Sequence, residues 1–421
     1  MPARPALLRR LLPVMLALLV GSTRADEAGG GASRGFFGIW DPRTSPFIPI
    51  PEVGTDPNSG TTVGLIPTFL ITDADRKIRE MIAPDLAYNP NAGFGAHFRT
   101  FAYPSADTQW YLVAGAKERI DRELDAVYTD GITRQSAWSW SARLRYDRNG
   151  SQRFYGLGND TSEHADTNHT KDATYIEAKI GYNFTPHWQL AIDLRPRFIE
   201  IQRGLLDDEP DTAKVFRGLP GMRRAHEFLT RTMLSYDTRD SVSLPRQGSQ
   251  LLIFAGLADR RFLSSTSYSL VGFEFQHYRP FGDRLTLAVH AMARYMPGAD
   301  EVPFWALGSL GGDRSLTGER APLRGYGDDR FIDRHMVGGT LELRDPVFGL
   351  DLFATHITLE IAPFVDLGRV FRQIDANPFD HVHYAGGIGF RGIAAPYVVG
   401  YVDIGYGSEG TAVFSGINYP F

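Results

Sequence analysis

The chain is 421 residues long, with a formal net charge of -5, a pI near 6.1 and no cysteine. That balance gives no electrostatic basis for nucleic-acid binding, and the missing thiols exclude disulfides, thiolate metal sites and a lipoprotein anchor. Aromatic residues make up 12% of the chain and glycine numbers 44, which suits strands, turns and membrane interfaces better than helices.

Residues 1–25 read as an export signal. Arg4, Arg9 and Arg10 form a basic start, Leu11 to Val20 an apolar run, and Thr23 and Ala25 a small-residue cleavage site before Asp26. No later apolar run approaches the roughly 18 residues of a spanning helix. Residues 26–59 carry Pro42, Pro46, Pro49 and Pro51 among glycines and read as an extended periplasmic leader. They are too few for a folded domain, which takes at least about 50 residues.

From about Thr61 the pattern changes to alternating apolar and polar positions, in segments separated by Gly, Asp, Asn and Pro. In Trp188 to Phe198 the residues Trp188, Leu190, Ile192, Leu194 and Phe198 oppose Gln189, Asp193, Arg195 and Arg197. Leu285 to Tyr295 sets Leu285, Leu287, Val289 and Tyr295 against Thr286, His290 and Arg294; Ile357 to Gly368 has one apolar face and places Glu360 and Asp366 on the other. Such segments begin near residues 61, 81, 93, 109, 137, 173, 187, 228, 249, 265, 284, 337, 356, 382, 397 and 411. They number about sixteen, an even count as bacterial membrane barrels require. A soluble sandwich also alternates, so alternation alone leaves that alternative open. The expectation is an all-β fold, a sixteen-stranded antiparallel transmembrane β-barrel over residues 60–421, whose closure satisfies every backbone polar group in lipid.

Between the eleventh and twelfth of these segments, Pro297 to Met336 shows no periodicity and is crowded with Gly, Asp and Arg. Loops of this length are usually functional or disordered. At its heart stands Leu323-Arg324-Gly325-Tyr326. With the preceding Leu310-Gly311-Gly312 and the following Gly338 to Pro346, this stretch resembles the BamA/TamA family of outer-membrane assembly barrels (bacterial surface antigens). Two further signatures stand in order: Phe364-Val365-Asp366-Leu367-Gly368, and Asp237 to Asp240 with Pro245 and Gly248 at a periplasmic turn. The resemblance covers roughly residues 60–421. It implies a sixteen-stranded barrel whose sixth outer loop folds back into the lumen. Since residues 26–59 leave no room for client-capturing POTRA domains, the expected likeness is to the family's POTRA-less branch.

Alternation puts Asp366, Glu360, Asp403, Glu342 and Arg344 on the lumen face. Together with the resemblance, this predicts that Arg324 reaches down inside the barrel and pairs with Asp366, with Asp403 or Glu342 as second acceptor. A guanidinium suits that role because its planar fork binds carboxylates bidentately and stays charged. Gly325 lets the backbone turn beside it, Tyr326 completes the loop motif and Gly368 the strand motif. At the chain end, Gly416, Tyr419 and Phe421 resemble the signal that barrels present to their assembly machinery, with Tyr419 and Phe421 expected to point outward. Asp237, Arg239 and Asp240 form the periplasmic-turn signature.

Other candidates carry less. His381 and His383 share one face of a strand as a possible metal pair, without an evident third ligand. Leu307 to Gly311 misses the nucleophile-elbow pattern, and Gly312 to Gly318 lacks the Lys-Ser/Thr of a phosphate loop. No enzyme and no cofactor are expected. The reading is an outer-membrane barrel of a Gram-negative bacterium that inserts or translocates protein or lipid. Its expected partners are membrane lipid, a client polypeptide or periplasmic protein, and the machinery that inserts the barrel itself. The alternative is a passive pore for small solutes.

Overall fold

The structure is a computed structural model, and it describes residues 47–56, 60–73, 78–298, 301–352, 355–374, 380–395 and 398–421. Residues 1–25, read above as an export signal, and most of residues 26–59, read as a leader, lie outside the described residues. One large sheet holds nineteen strand segments, two of which, Ile78–Ile82 and Asp85–Asn89, are halves of one strand interrupted at Pro84. Both halves pair with the same two neighbours, and proline, having no N–H, explains the break.

Eighteen strands therefore run in sequence among the described residues. The first nine are β1 (Phe47–Asp56), β2 (Gly60–Thr72), β3 (the two halves just given), β4 (Gly93–Ala102), β5 (Thr108–Lys117), β6 (Arg122–Asp130), β7 (Trp138–Phe154), β8 (Thr167–Asn183) and β9 (Trp188–Arg203). The rest are β10 (Ala225–Asp237), β11 (Gly248–Ala258), β12 (Tyr268–Phe281), β13 (Leu285–Tyr295), β14 (His335–Leu352), β15 (Thr355–Phe371), β16 (His383–Ala394), β17 (Val398–Gly407) and β18 (Gly410–Ile417). Each pairs antiparallel with the next.

This count corrects the expected sixteen. Strand β1 lies inside the stretch read as leader, its prolines tolerated because an edge strand need not donate every N–H. Strand β6 was hidden by its composition: Arg122, Glu123 and Asp125 crowd one end, and Ala126 marks the outer face only faintly. Two added strands leave every later direction unchanged. The long loop now joins β13 and β14 rather than the eleventh and twelfth strands.

Burial decides between barrel and sandwich. Along β9 the exposed side chains are Trp188, Leu190, Ile192 and Leu194, while Gln189, Asp193 and Arg197 are buried. A water-soluble sheet shows the reverse, so this outer face belongs in lipid. Outward aromatics pair near the strand ends: Trp110 with Tyr128, Trp138 with Tyr182 and Trp188 with the half-buried Tyr236 at one end, Tyr88 with Phe94 at the other. The first end holds the start of β1, the finish of β18 and mostly short turns, which makes it periplasmic. No helix among the described residues is long and apolar enough to cross a membrane; the crossing is made by strands.

The sheet's two ends meet at β1 and β18. Hydrogen bonds across this seam run from backbone amides to side-chain hydroxyls, Val53 N to Ser415 Oγ at 3.2 Å and Val413 N to Thr55 Oγ1 at 3.0 Å. Toward the periplasmic end, Ile48 and Ile50 of β1 join one apolar cluster with Ile357, Ala394 and Ile417.

The chain end also departs from expectation. Strand β18 stops at Ile417, and Asn418 adopts φ 80°, which turns the last residues out of strand register. Tyr419 and Phe421 consequently face the lumen instead of lipid. The Tyr419 hydroxyl donates to Glu360 at 3.2 Å, Arg344 lies 3.7 Å over its ring, and Phe421 stacks on His290 with ring centroids 5.0 Å apart. Gly416 remains within β18, opposite Tyr401.

Candidate functional site: the loop inside the barrel

From Glu301 to Arg334 the long loop folds as a small body of its own. The short strand Gly308–Leu310 pairs parallel with Arg320–Ala321 and antiparallel with Phe331–Asp333. Leu310, Ala321, Leu323, Tyr326 and Phe331 pack with Met292, Met336, Val370 and Ala385 of the wall into one apolar cluster. Burying these side chains offsets much of the entropy lost in ordering so long a loop.

Arg324 is fully buried in the lumen. Its Nε and Nη2 donate to the two oxygens of Asp366, each at 2.9 Å, and its own backbone N–H adds a third bond to Asp366 at 2.9 Å. Nη1 donates to Glu342 at 2.9 Å and to Asp403 at 2.8 Å. The Phe364 ring lies 3.4 Å from the guanidinium carbon, so the planar cation is stacked on one face as well as bonded along its edges. Burial alone lowers the basicity of Arg324, but Asp366, Glu342 and Asp403 outweigh it and hold the group well above its ordinary value.

These carboxylates come from β15, β14 and β17, so one side chain ties the loop to three strands. The network extends to Arg391 on β16, which donates to Glu342 at 2.9 Å, and to Arg344 on β14, which donates to the other Glu342 oxygen at 2.8 Å. Four wall carboxylates (Glu342, Glu360, Asp366 and Asp403) thus face two wall arginines, and the loop supplies a third.

Glycines make the approach possible. A Cβ at Gly405 on β17 would sit 1.3 Å from the Arg324 carbonyl oxygen, and one at Gly407 would sit 2.6 Å from the Tyr326 ring. The loop backbone therefore lies directly on the backbone of β17. Gly325 lies against the Gly407 amide, and Gly368 against the Leu310 side chain, with would-be contacts of 2.5 and 2.8 Å. The Tyr326 hydroxyl meets Ser408 at 2.9 Å. Sequence reasoning singled out Gly325 and Gly368 but missed Gly405 and Gly407, although small residues at successive inward positions after Asp403 were a readable sign.

It also missed a second polar contact of the loop, on the wall formed by β9 and β10. Glu319 Oε1 lies 2.8 Å from Arg195 Nη1 and 3.3 Å from Arg197 Nη1. Arg231 donates to the Thr317 carbonyl at 3.1 Å and holds Asp193 through two bonds. Burial opposes ionisation of Glu319, but Arg195, Arg197 and Arg231 keep its carboxyl well below the ordinary carboxylate range. At the outer rim Arg330 bonds Glu409 and Thr161, clipping the loop to two other outer connections, β17–β18 and β7–β8. Between the loop and the wall lies a polar cavity of about 1000 Å³ lined by Arg195, Arg197, Arg231 and Glu319 among others.

The remaining predicted residues take quieter places. Arg239 folds back on Asp237 through two bonds, and Asp240 accepts the Arg246 and Gln247 amides, so this signature shapes a periplasmic turn. His381 goes to Asp160, while His383 meets the Asn159 carbonyl and stacks on Phe331. The two imidazoles have separate partners and do not converge.

A transmembrane β-barrel with its longest outer connection folded into its lumen and tied there by a buried arginine is a plugged outer-membrane barrel of a Gram-negative bacterium. Residues 110–394 match the Omp85 superfamily domain, and the chain belongs to that superfamily. Among solved structures, it is similar to BamA from Haemophilus ducreyi lacking POTRA domains 1–3, at 14% identity and TM-score 0.51, over 84% of this chain and 75% of that one. CdiB from Escherichia coli is similar at 13% identity and TM-score 0.47, over 89% of this chain and 63% of its own length. A comparison with curated proteins finds no match.

Proposed function

We propose that the protein inserts or translocates protein or lipid at the outer membrane, with its lumen loop as a plug that can leave its seat. The observation that carries this reading is the bonding of Arg324 to three carboxylates from three strands. A plug needed only for stability is served as well by an apolar contact, because taking a guanidinium and several carboxylates out of water is costly. Directional polar contacts favour one seated position, and they can be exchanged for water when the loop moves. The seam supports the same reading: bonds through Ser415 and Thr55 hydroxyls can part without breaking a long backbone ladder.

A direct test uses the absence of native cysteine. The double substitution Thr55→Cys and Val413→Cys joins the seam as a disulfide. If the barrel works by opening there, the oxidised protein fails to restore normal outer-membrane protein or lipid composition to cells depleted of it, and a reductant relieves the failure. Full activity with the seam closed rejects lateral opening. The cavity beside the loop favours a second reading, a pore for small solutes. Loss of uptake of one solute on depletion, with protein and lipid composition unchanged, establishes that reading instead.

A further inference from the structure

Arg324 and Glu319 engage their walls in different ways. The Arg324 guanidinium is wholly buried and its donors are occupied by carboxylates. Glu319 has 24% of its side chain exposed and makes one long hydrogen bond, from Arg197 at 3.3 Å. Its closer approach to Arg195 Nη1 is an ionic contact, and that nitrogen has no aligned hydrogen-bond acceptor.

The wall's charges explain what Glu319 is doing there. Arg195, Arg197, Arg231 and Arg294 are all close enough to act on Glu319. Three wall carboxylates answer them: Asp193 holds Arg231, Glu227 holds Arg197, and Glu177 lies 3.4 Å from Arg195. Each of these carboxylates is taken by a wall arginine, and Glu319 is the carboxylate that the loop adds beside Arg195 and Arg197. The cavity of about 1000 Å³ opens onto this spot, a volume in the range that holds small-molecule ligands.

We propose that the Arg195–Arg197–Arg231 pocket is an oxyanion-binding site, occupied by Glu319 while the loop is seated and open to a phosphate group that competes with it. A phosphate presents three strong acceptor oxygens to guanidinium forks, where Glu319 brings one oxygen at imperfect geometry. Competition there removes the loop's acidic anchor and biases the loop toward leaving. The proposal rests on the reading of the loop as a movable plug. The phosphate is either dissolved in the periplasm or carried on a lipid headgroup.

The test is the time-averaged conductance of the full mature chain in planar bilayers. Inorganic phosphate is added to phosphatidylcholine bilayers against chloride of equal ionic strength, and separately phosphatidic acid is placed in the bilayer with no phosphate in the buffer. The expected result is a several-fold rise in one arm, which also identifies the source. Glu319→Gln should begin at the raised level and gain nothing from phosphate, and Arg195→Gln should lose the response. Equal effects of phosphate and chloride on the native chain, with no effect of phosphatidic acid, overturn the proposal, and this arm needs no variant to fold. If Arg324→Ala raises conductance while Glu319→Gln does not, the plug stands and the oxyanion site falls. If neither does, the plug reading itself fails.

Discussion

Arg324 and Asp366, 42 residues apart in the chain, share three hydrogen bonds of 2.9 Å. Two come from the guanidinium fork and one from the backbone, so the contact fixes both the side chain and the path of the loop. Arg324→Lys keeps the charge and the backbone bond but loses the fork. Charge-assisted hydrogen bonds are worth about 1.5–3 kcal/mol each, so lysine should restore seating only in part. Limited proteolysis between residues 301 and 334 measures this: cleavage should be faster than in the native chain and slower than in Arg324→Ala.

Gly405→Ala tests the close approach of loop and wall. The new methyl group meets the Arg324 carbonyl 1.3 Å away, and two backbones must separate to admit it. The loop should be displaced while eighteen paired strands keep the barrel folded. Heat-dependent migration in a detergent gel should stay native, and protease access to the loop should rise as far as in Arg324→Ala. Unchanged protection shows that the loop does not rest on β17.

Much of this site was legible beforehand, for one physical reason. Strand alternation has a strict period of two, so Glu342, Asp366 and Asp403 could be placed inside the barrel by parity, and a loop arginine then had a set of partners. Where parity fails, so did the reading. Glu319 sits in an aperiodic loop whose folding depends on contacts distant in sequence. Tyr419 and Phe421 were placed outward by continuing the alternation of β18, which Asn418 breaks at φ 80°. In β1, Pro49 and Pro51 resemble a linker because the seam position that tolerates them is set by a strand more than 350 residues away in the chain.

The tail makes a separate prediction. Because Tyr419 lies between Arg344 and Glu360 in the lumen, Tyr419→Cys in this cysteine-free chain should resist a maleimide confined to the lipid phase. Leu367→Cys, at an exposed outer position, should react readily. Equal labelling of the two places the tail back in lipid.

Acid should unseat the loop only at low pH. The folded-state pKa of Glu319 is depressed below its ordinary 4.5 by the nearby arginines. A depressed carboxylate contributes stability that is fully present above the unfolded value and is lost as pH falls through the folded one. Conductance and loop protection should therefore be flat from pH 8 down to about 5. A transition centred near pH 6 contradicts the assignment to Glu319, whose carboxylate the arginines hold ionised well below that pH.

The most direct test of the plug is a double-mutant cycle on its central contact, read as single-channel conductance in planar bilayers. Removing one member of a buried ion pair costs about 3–5 kcal/mol, chiefly by stranding its partner. Asp366→Ala and Arg324→Ala should each raise conductance, Arg324→Ala at least as much because it also gives up the bonds to Glu342 and Asp403, and the double variant should be no more open than Arg324→Ala. Native conductance in both single variants, or effects that add in the double one, would contradict the account.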